Sequence, residues 1–359
     1  MRQLTLFNQA RPATVHQRPD EYWQRPPIAL TPEIGNLLAQ NVPVAIGISG
    51  GKDGSVAAWE TLLYLNQIGH SGPRILIHAY LGRAEWKDSA RICEQLANYC
   101  NTELVVVRRQ SGDMVDRWLS RWDANVTRYT QLQCVKLILP WSTASMRFCT
   151  SELKSAVIAR YLTNRFRNTP IISVTGIRRQ ESVARAKKPI SAVNTRLTNK
   201  SRGTSGYDWN PIIDFTVSDV WAIHHRQHLP IHSAYRVYGT SRVSCGFCIM
   251  SLEADLKASA LCLDNHALLS ELVDLEITSA YSFQSDRWLG DVRPDLLNPA
   301  QRRGIADAKR IAQECEQLER QIPAHLLFSN GWPDRIPTHS EAALLATVRR
   351  QVGTLMGFR

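Results

Sequence analysis

The stretch Ser49-Gly50-Gly51-Lys52-Asp53-Gly54-Ser55 gathers residue types that can hold a phosphate. Glycines let the backbone approach an anion closely, and the free N–H groups of a helix starting at such a loop point at the charge. Lys52 adds a positive charge, and Ser49 and Ser55 add hydroxyl donors. The string is not a Walker A loop: the position five before Gly51 is Ile46, and Lys52 is followed by Asp53 instead of Ser or Thr. A second constellation is Cys245-Gly246-Phe247-Cys248. Redox pairs, zinc half-sites and iron–sulfur half-sites all use this spacing, so alone it leaves the three open. A third is basic: eight lysines and arginines between Arg178 and Arg202 face the single acid Glu181, a net +7 in 25 residues. Like-charge clustering of that density points to an anionic partner.

These residues need a scaffold, and the hydrophobic pattern supplies one. Short apolar runs over 42–48, 74–81, 103–107 and 171–175 predict strands, and amphipathic stretches over 55–68, 85–99, 114–122 and 152–166 predict helices. A short strand over 210–214 and a helix over 217–228 follow, and the chain beyond Cys245 reads as mainly helical. Strands alternating with helices of this length predict an α/β fold, with a doubly wound, mostly parallel sheet and a helical C-terminal region. Ligands on such sheets bind at the carboxyl ends of strands, where the Ser49–Ser55 loop falls. Residues 1–41 read as a proline-punctuated arm and a short helix, with Thr31 as N-cap and Pro32 at its first position. The expected domains are then 1–41, 42–250 and 251–359.

The loop resembles the SGGxDS signature of PP-loop ATP pyrophosphatases of the PAPS reductase-like family, with Gly54 inserted before the last serine. Arg147-Phe148-Cys149-Thr150-Ser151-Glu152-Leu153-Lys154 is similar to the family's RxCTxxxK segment, and Gly176-Ile177-Arg178-Arg179-Gln180-Glu181-Ser182 with Arg185 to its GxRxxES motif. His78-Ala79-Tyr80 resembles the second-strand segment that lies against adenine, although Tyr80 stands where an acid is more usual. Asn210–Asp214 before Asp219-Val220-Trp221 matches a further pair of elements, so the resemblance runs from about 42 to about 276. It implies an adenine nucleotide alpha hydrolase-like fold and cleavage of ATP to AMP and pyrophosphate. Ser49 to Ser55, His78, Tyr80, Gly176 and Arg178 would bind ATP, with Lys52, Asp53 and Arg178 catalytic and Asp53 helping to place Mg²⁺. Lys154, Arg179, Glu181 and Arg185 would contact substrate. Cys149 and Cys262 would join Cys245 and Cys248 as thiolate ligands of a [4Fe–4S] cluster.

The stretch from Glu316 to Arg359 lacks the cysteine that sulfonucleotide reductases use there. The resemblance is therefore closest to the ATP pyrophosphatase component of bacterial DNA phosphorothioation systems, with tRNA thiolases next. It implies DNA or tRNA as substrate, a cysteine desulfurase as sulfur donor and further subunits of a modification complex. Composition agrees: a net charge of +11 and a pI near 9.4 suit a polyanionic partner. Eight cysteines without an export signal read as reduced thiols or metal ligands. No run approaches the roughly 20 apolar residues that span a bilayer, so the expected location is cytoplasmic. His224 and His228 form a lone i,i+4 pair without the carboxylate pattern of a metallohydrolase and read as structural.

Overall fold

The computed structural model describes residues 23–285, 287–327 and 335–358. The greater part of the proline-punctuated arm, residues 1–22, lies outside them. Of the described residues, those within 81–84, 109–153 and 246–358 form one compact unit, and the others up to Cys245 form the second. Segment 109–153 thus belongs with the C-terminal residues and not with the sheet.

The first unit is built on a six-stranded sheet in the order β3-β2-β1-β4-β6-β5. Its strands are β1 (Val44–Gly47), β2 (Arg74–Tyr80), β3 (Glu103–Arg108), β4 (Pro170–Val174), β5 (Ser191–Val193) and β6 (Ser205–Trp209). All neighbours run parallel except β5, which lies antiparallel on β6. Side chains alternate across a strand, so successive residues feed opposite cores. Val44, Ile46, Leu76, Ile172, Val174 and Trp209 pack on one face beneath helices α1 (Pro32–Ala39), α2 (Lys52–Gln67) and α3 (Asp88–Tyr99). Ala45, Ile75, Ile77, Val105 and Ile171 pack on the other against the helix Ala156–Arg165. Burial on both faces is why β1, β2 and β4 read as apolar runs, whereas β3 at the sheet's edge leaves Val106 exposed. Each fully buried Ile or Val contributes about 1.5–3 kcal/mol relative to exposure.

Two departures from the sequence reading have local causes. The strand expected over 210–214 lies just earlier, at Ser205–Trp209, while Ile212 and Ile213 sit fully buried in the following turn. Pro211 lacks the N–H that a ladder needs, so the apolar run is buried as a loop. The helix expected from Ser55 begins at Lys52, which places Lys52 and Asp53 in its first turn. Thr31 does cap α1, its hydroxyl accepting from Ile34 N–H. Residues 23–30 are fastened by an Arg25–Glu60 ion pair and by a Trp209 Nε1–H bond to Ala29 O, 2.8 Å.

The second unit is helical, with Met114–Thr130, Glu253–Ser259, His266–Ser279, Pro299–Glu319 and His339–Leu355 as its longer helices. Trp118, Trp141 and Phe283 form an edge-to-face nucleus with ring centroids 5.0–6.1 Å apart. Glu276 is fully buried there and accepts N–H bonds from Phe283, Leu289 and Gly290. Among the described residues no helix is long and apolar enough to cross a membrane.

Candidate nucleotide site

The loop after β1 turns on Gly50, whose φ of +75° lies in the left-handed region that favours glycine. A side chain there would also press on His232, 3.2 Å away. Gly51 then caps α2, and Asp53 stands in the first turn, where the helix dipole favours an acid. Ser55 spends its hydroxyl on Gly51 O at 3.3 Å. Lys52 is buried, with Nζ 3.1 Å from Ser241 O, 3.4 Å from Asp53 Oδ2 and 5.1 Å from the centre of the Tyr235 ring.

Arg178 reaches the same carboxylate from β4. Its Nε lies 2.6 Å from Asp53 Oδ1, and it is only 4% exposed. Asp53 is therefore held between two cations, one on its own helix and one from the neighbouring strand, leaving the trio with a net charge of +1. Gly176 makes this approach possible: a Cβ there would stand 2.6 Å from Asp53 O and 2.9 Å from Gly54 N. The three residues expected to be catalytic, Lys52, Asp53 and Arg178, thus meet at the carboxyl ends of β1 and β4. A metal ion at Asp53 would share the carboxylate with Lys52 and Arg178, each oxygen keeping a second lone pair beside its contact.

His78, expected against the nucleotide, is buried at the end of β2 with Nδ1 3.1 Å from Ile48 O and Nε2 3.1 Å from Glu85 Oε2. Burial disfavours its charge, but Cys93 and the Glu85 carboxylate beside it raise the pKa to about 10. It is a cation clamping the root of the loop. Tyr80 is exposed at the strand's end. Among the expected substrate contacts, Arg179 is bound to Asp214 Oδ1 at 2.6 Å and to Lys188 O at 2.7 Å. Arg185 pairs with Glu181, whose other oxygen accepts from Arg178 N–H at 2.9 Å. Lys154 is half-buried in a π-helical turn, Ser151–Ser155.

None of the four cysteines is in a disulfide. Cys245 belongs to the first unit, where its backbone bridges to Glu85. Cys149, Cys248 and Cys262 belong to the second. Cys262 is buried at a break between helices, not inside one, and Cys248 Sγ accepts from Met250 N–H at 3.4 Å. The donors are of the right type for a cluster. Among the described residues, however, no group of three or more His, Cys, Asp or Glu is arranged to hold a metal ion.

Three contacts to the loop, and the neighbouring His232, escaped the sequence reading. Tyr235 Oη accepts from Lys52 N–H at 3.2 Å, and Ser241 O takes the lysine head. His224, driven by burial to a pKa of about 4 and so neutral, lies with Nε2 3.0 Å from Lys52 O. His232 sits 3.2 Å from Ser89 Oγ with Nδ1 accepting from Ala234 N–H. That tautomer keeps Asp88 from completing a Ser-His-Asp relay, and the Asp88 oxygen accepts from Ser233 N–H instead. None of these residues lies in a recognisable motif; only the i,i+4 histidine pair gave any signal.

A model of the phosphoadenosine phosphosulfate reductase domain matches residues 43–249. No curated protein matches the chain. Among solved structures, the U34-tRNA thiolase NcsA from Methanococcus maripaludis, with its [4Fe-4S] cluster, is similar at a TM-score of 0.38 and 15% identity, over 84% of this chain and 80% of that one.

Proposed function

The chain belongs to the phosphoadenosine phosphosulfate reductase domain family, and we propose that it cleaves ATP to AMP and pyrophosphate to activate a nucleic acid for sulfur incorporation, in DNA phosphorothioation. The observation that carries this is the pair Lys52 and Asp53 in the first turn of a helix that follows a parallel strand, met by Arg178 from beyond β4. Such a site stabilises the charge of a departing pyrophosphate with ammonium, guanidinium and backbone N–H groups. A substrate oxygen attacks the α-phosphorus, the bond to the β-phosphate oxygen breaks, and the adenylated substrate forms. The terminal sulfur of a persulfide supplied by a partner cysteine desulfurase then attacks the substrate phosphorus and AMP leaves, and a thiol reduces the resulting S–S bond to free the carrier cysteine. Mg²⁺, when bound, supplies charge neutralisation on the leaving group. Lys52 and Arg178 hold the phosphates, and His78 with Gly176 fixes the loop that presents them.

Incubation with Mg²⁺ and ATP is expected to release AMP and pyrophosphate. Asp53→Ala and Lys52→Ala should each cost about 3 kcal/mol in the barrier, roughly a hundredfold in rate. Release of ADP and phosphate would overturn the assignment. Transfer of labelled sulfur to DNA distinguishes phosphorothioation from tRNA thiolation, which uses the same activation. The cysteines are tested apart from ATP: anaerobic protein should carry iron and sulfide near the roughly four per chain of a [4Fe–4S] centre, lost in Cys245→Ser. Zinc without iron would remove the cluster from the proposal.

A further inference from the structure

The amide of Lys52 has one hydrogen, and it is already engaged. It donates to Tyr235 Oη at 3.2 Å, and the same oxygen accepts from Val243 N–H at 3.0 Å. Tyr235 is 6% exposed, so water does not substitute for these partners. The lysine head adds a second tie two residues earlier, on Ser241 O at 3.1 Å. Two residues beyond Val243 lies Cys245, bridged through the backbone to Glu85. Glu85 in turn holds His78, whose other nitrogen meets Ile48 O just before the loop. The segment 241–245 is thus fastened to the loop on one side through Tyr235 and Lys52, and on the other through His78 and Glu85.

We propose that Tyr235 is a positioning residue whose hydroxyl couples occupancy of the phosphate loop to the placement of the segment that carries Cys245. The inference rests on the loop being a pyrophosphate site. An anion seated on the start of α2 competes for the single Lys52 N–H, and its charge outbids the neutral phenol and the Ser241 carbonyl. Occupancy then releases Tyr235 Oη and Ser241 O together and loosens the residues leading to Cys245. The His78 side stays closed, so the segment pivots at Glu85 and does not detach.

Backbone hydrogen exchange on the full chain tests this, with inorganic pyrophosphate as probe at concentrations shown by equilibrium dialysis to saturate it. In the wild type, pyrophosphate should speed exchange at the Val243 amide by about fivefold or more. Tyr235→Phe, which removes only the hydroxyl, should show fast Val243 exchange without pyrophosphate and no further response to it. Saturated binding with unchanged Val243 exchange in the wild type overturns the coupling and leaves the phosphate site standing. A Tyr235→Phe protein that still responds overturns the role of the hydroxyl. Absence of pyrophosphate binding overturns both the coupling and the site. Should the variant not fold, the wild-type comparison alone decides.

Discussion

Asp53 is where local and distant sequence meet. Its charge is balanced by Lys52, one residue before it, and by Arg178, brought across the sheet by β4. That pairing depends on a residue with no side chain. A methyl at position 176 would first meet backbone, Asp53 O, Asp53 C and Gly54 N, none of which can swing aside as a flexible side chain could. Gly176→Ala should therefore cost about 1–3 kcal/mol of stability as overpacking and push α2 away from Arg178. The expected result is a lowered melting temperature together with loss of ATP cleavage. A variant that keeps both would show that the strand and the loop are not in register as described.

At the scale of elements, the helix His266–Ser279 carries Glu276 into the second unit's interior as an anchor for the 283–290 turns. Burial raises its pKa to about 7, against the pull of three N–H bonds that favour the carboxylate. A carboxyl that binds its proton more tightly when folded than when unfolded makes stability fall as pH rises from about 4.5 to about 7, by at most roughly 1.4 kcal/mol per pH unit. Urea unfolding across that range should show the decline, and Glu276→Gln should flatten it. An unchanged profile would mean that the carboxylate is ionised throughout. Nothing in the sequence marks Glu276, because its role comes from turns that close seven to fourteen residues later. The sheet was legible by contrast: β1, β2 and β4 are apolar runs covered on both faces, β3 is an apolar run at the edge with Val106 exposed, and the loop after β1 follows from its glycines. β5 and β6 were hidden. Ser205-Gly206-Tyr207-Asp208-Trp209 has too little apolar content to read as a strand, and β5 has three residues at an edge. Of the site, the motif residues were visible, whereas Tyr235, Ser241 and His224 reach the loop only through tertiary packing.

For the whole molecule the net charge of +11 overstates what a polyanion can use. Within the basic segment Arg178, Arg179 and Arg185 are paired with Asp53, Asp214 and Glu181, and Arg202 donates to Thr163 Oγ1. Lys187, Lys188, Arg196 and Lys200 are the exposed remainder. Converting those four to Ala should flatten the salt dependence of DNA binding by about 3 to 4 units, at roughly 0.9 for each phosphate no longer neutralised. ATP cleavage without nucleic acid should persist, because none of the four touches the loop. Unchanged affinity and salt slope would assign the charge to an acidic protein partner. The same four cations flank β5, the short strand at one edge of the sheet, where Val193 is 63% exposed. An edge presents unpaired N–H and C=O groups that can template a foreign strand, and brevity plus lysines is a common defence. Seen as colloid chemistry, these side chains are gatekeepers against fibrillar self-association. Stripping them exposes an adhesive margin, and light scattering would register it before any binding assay did.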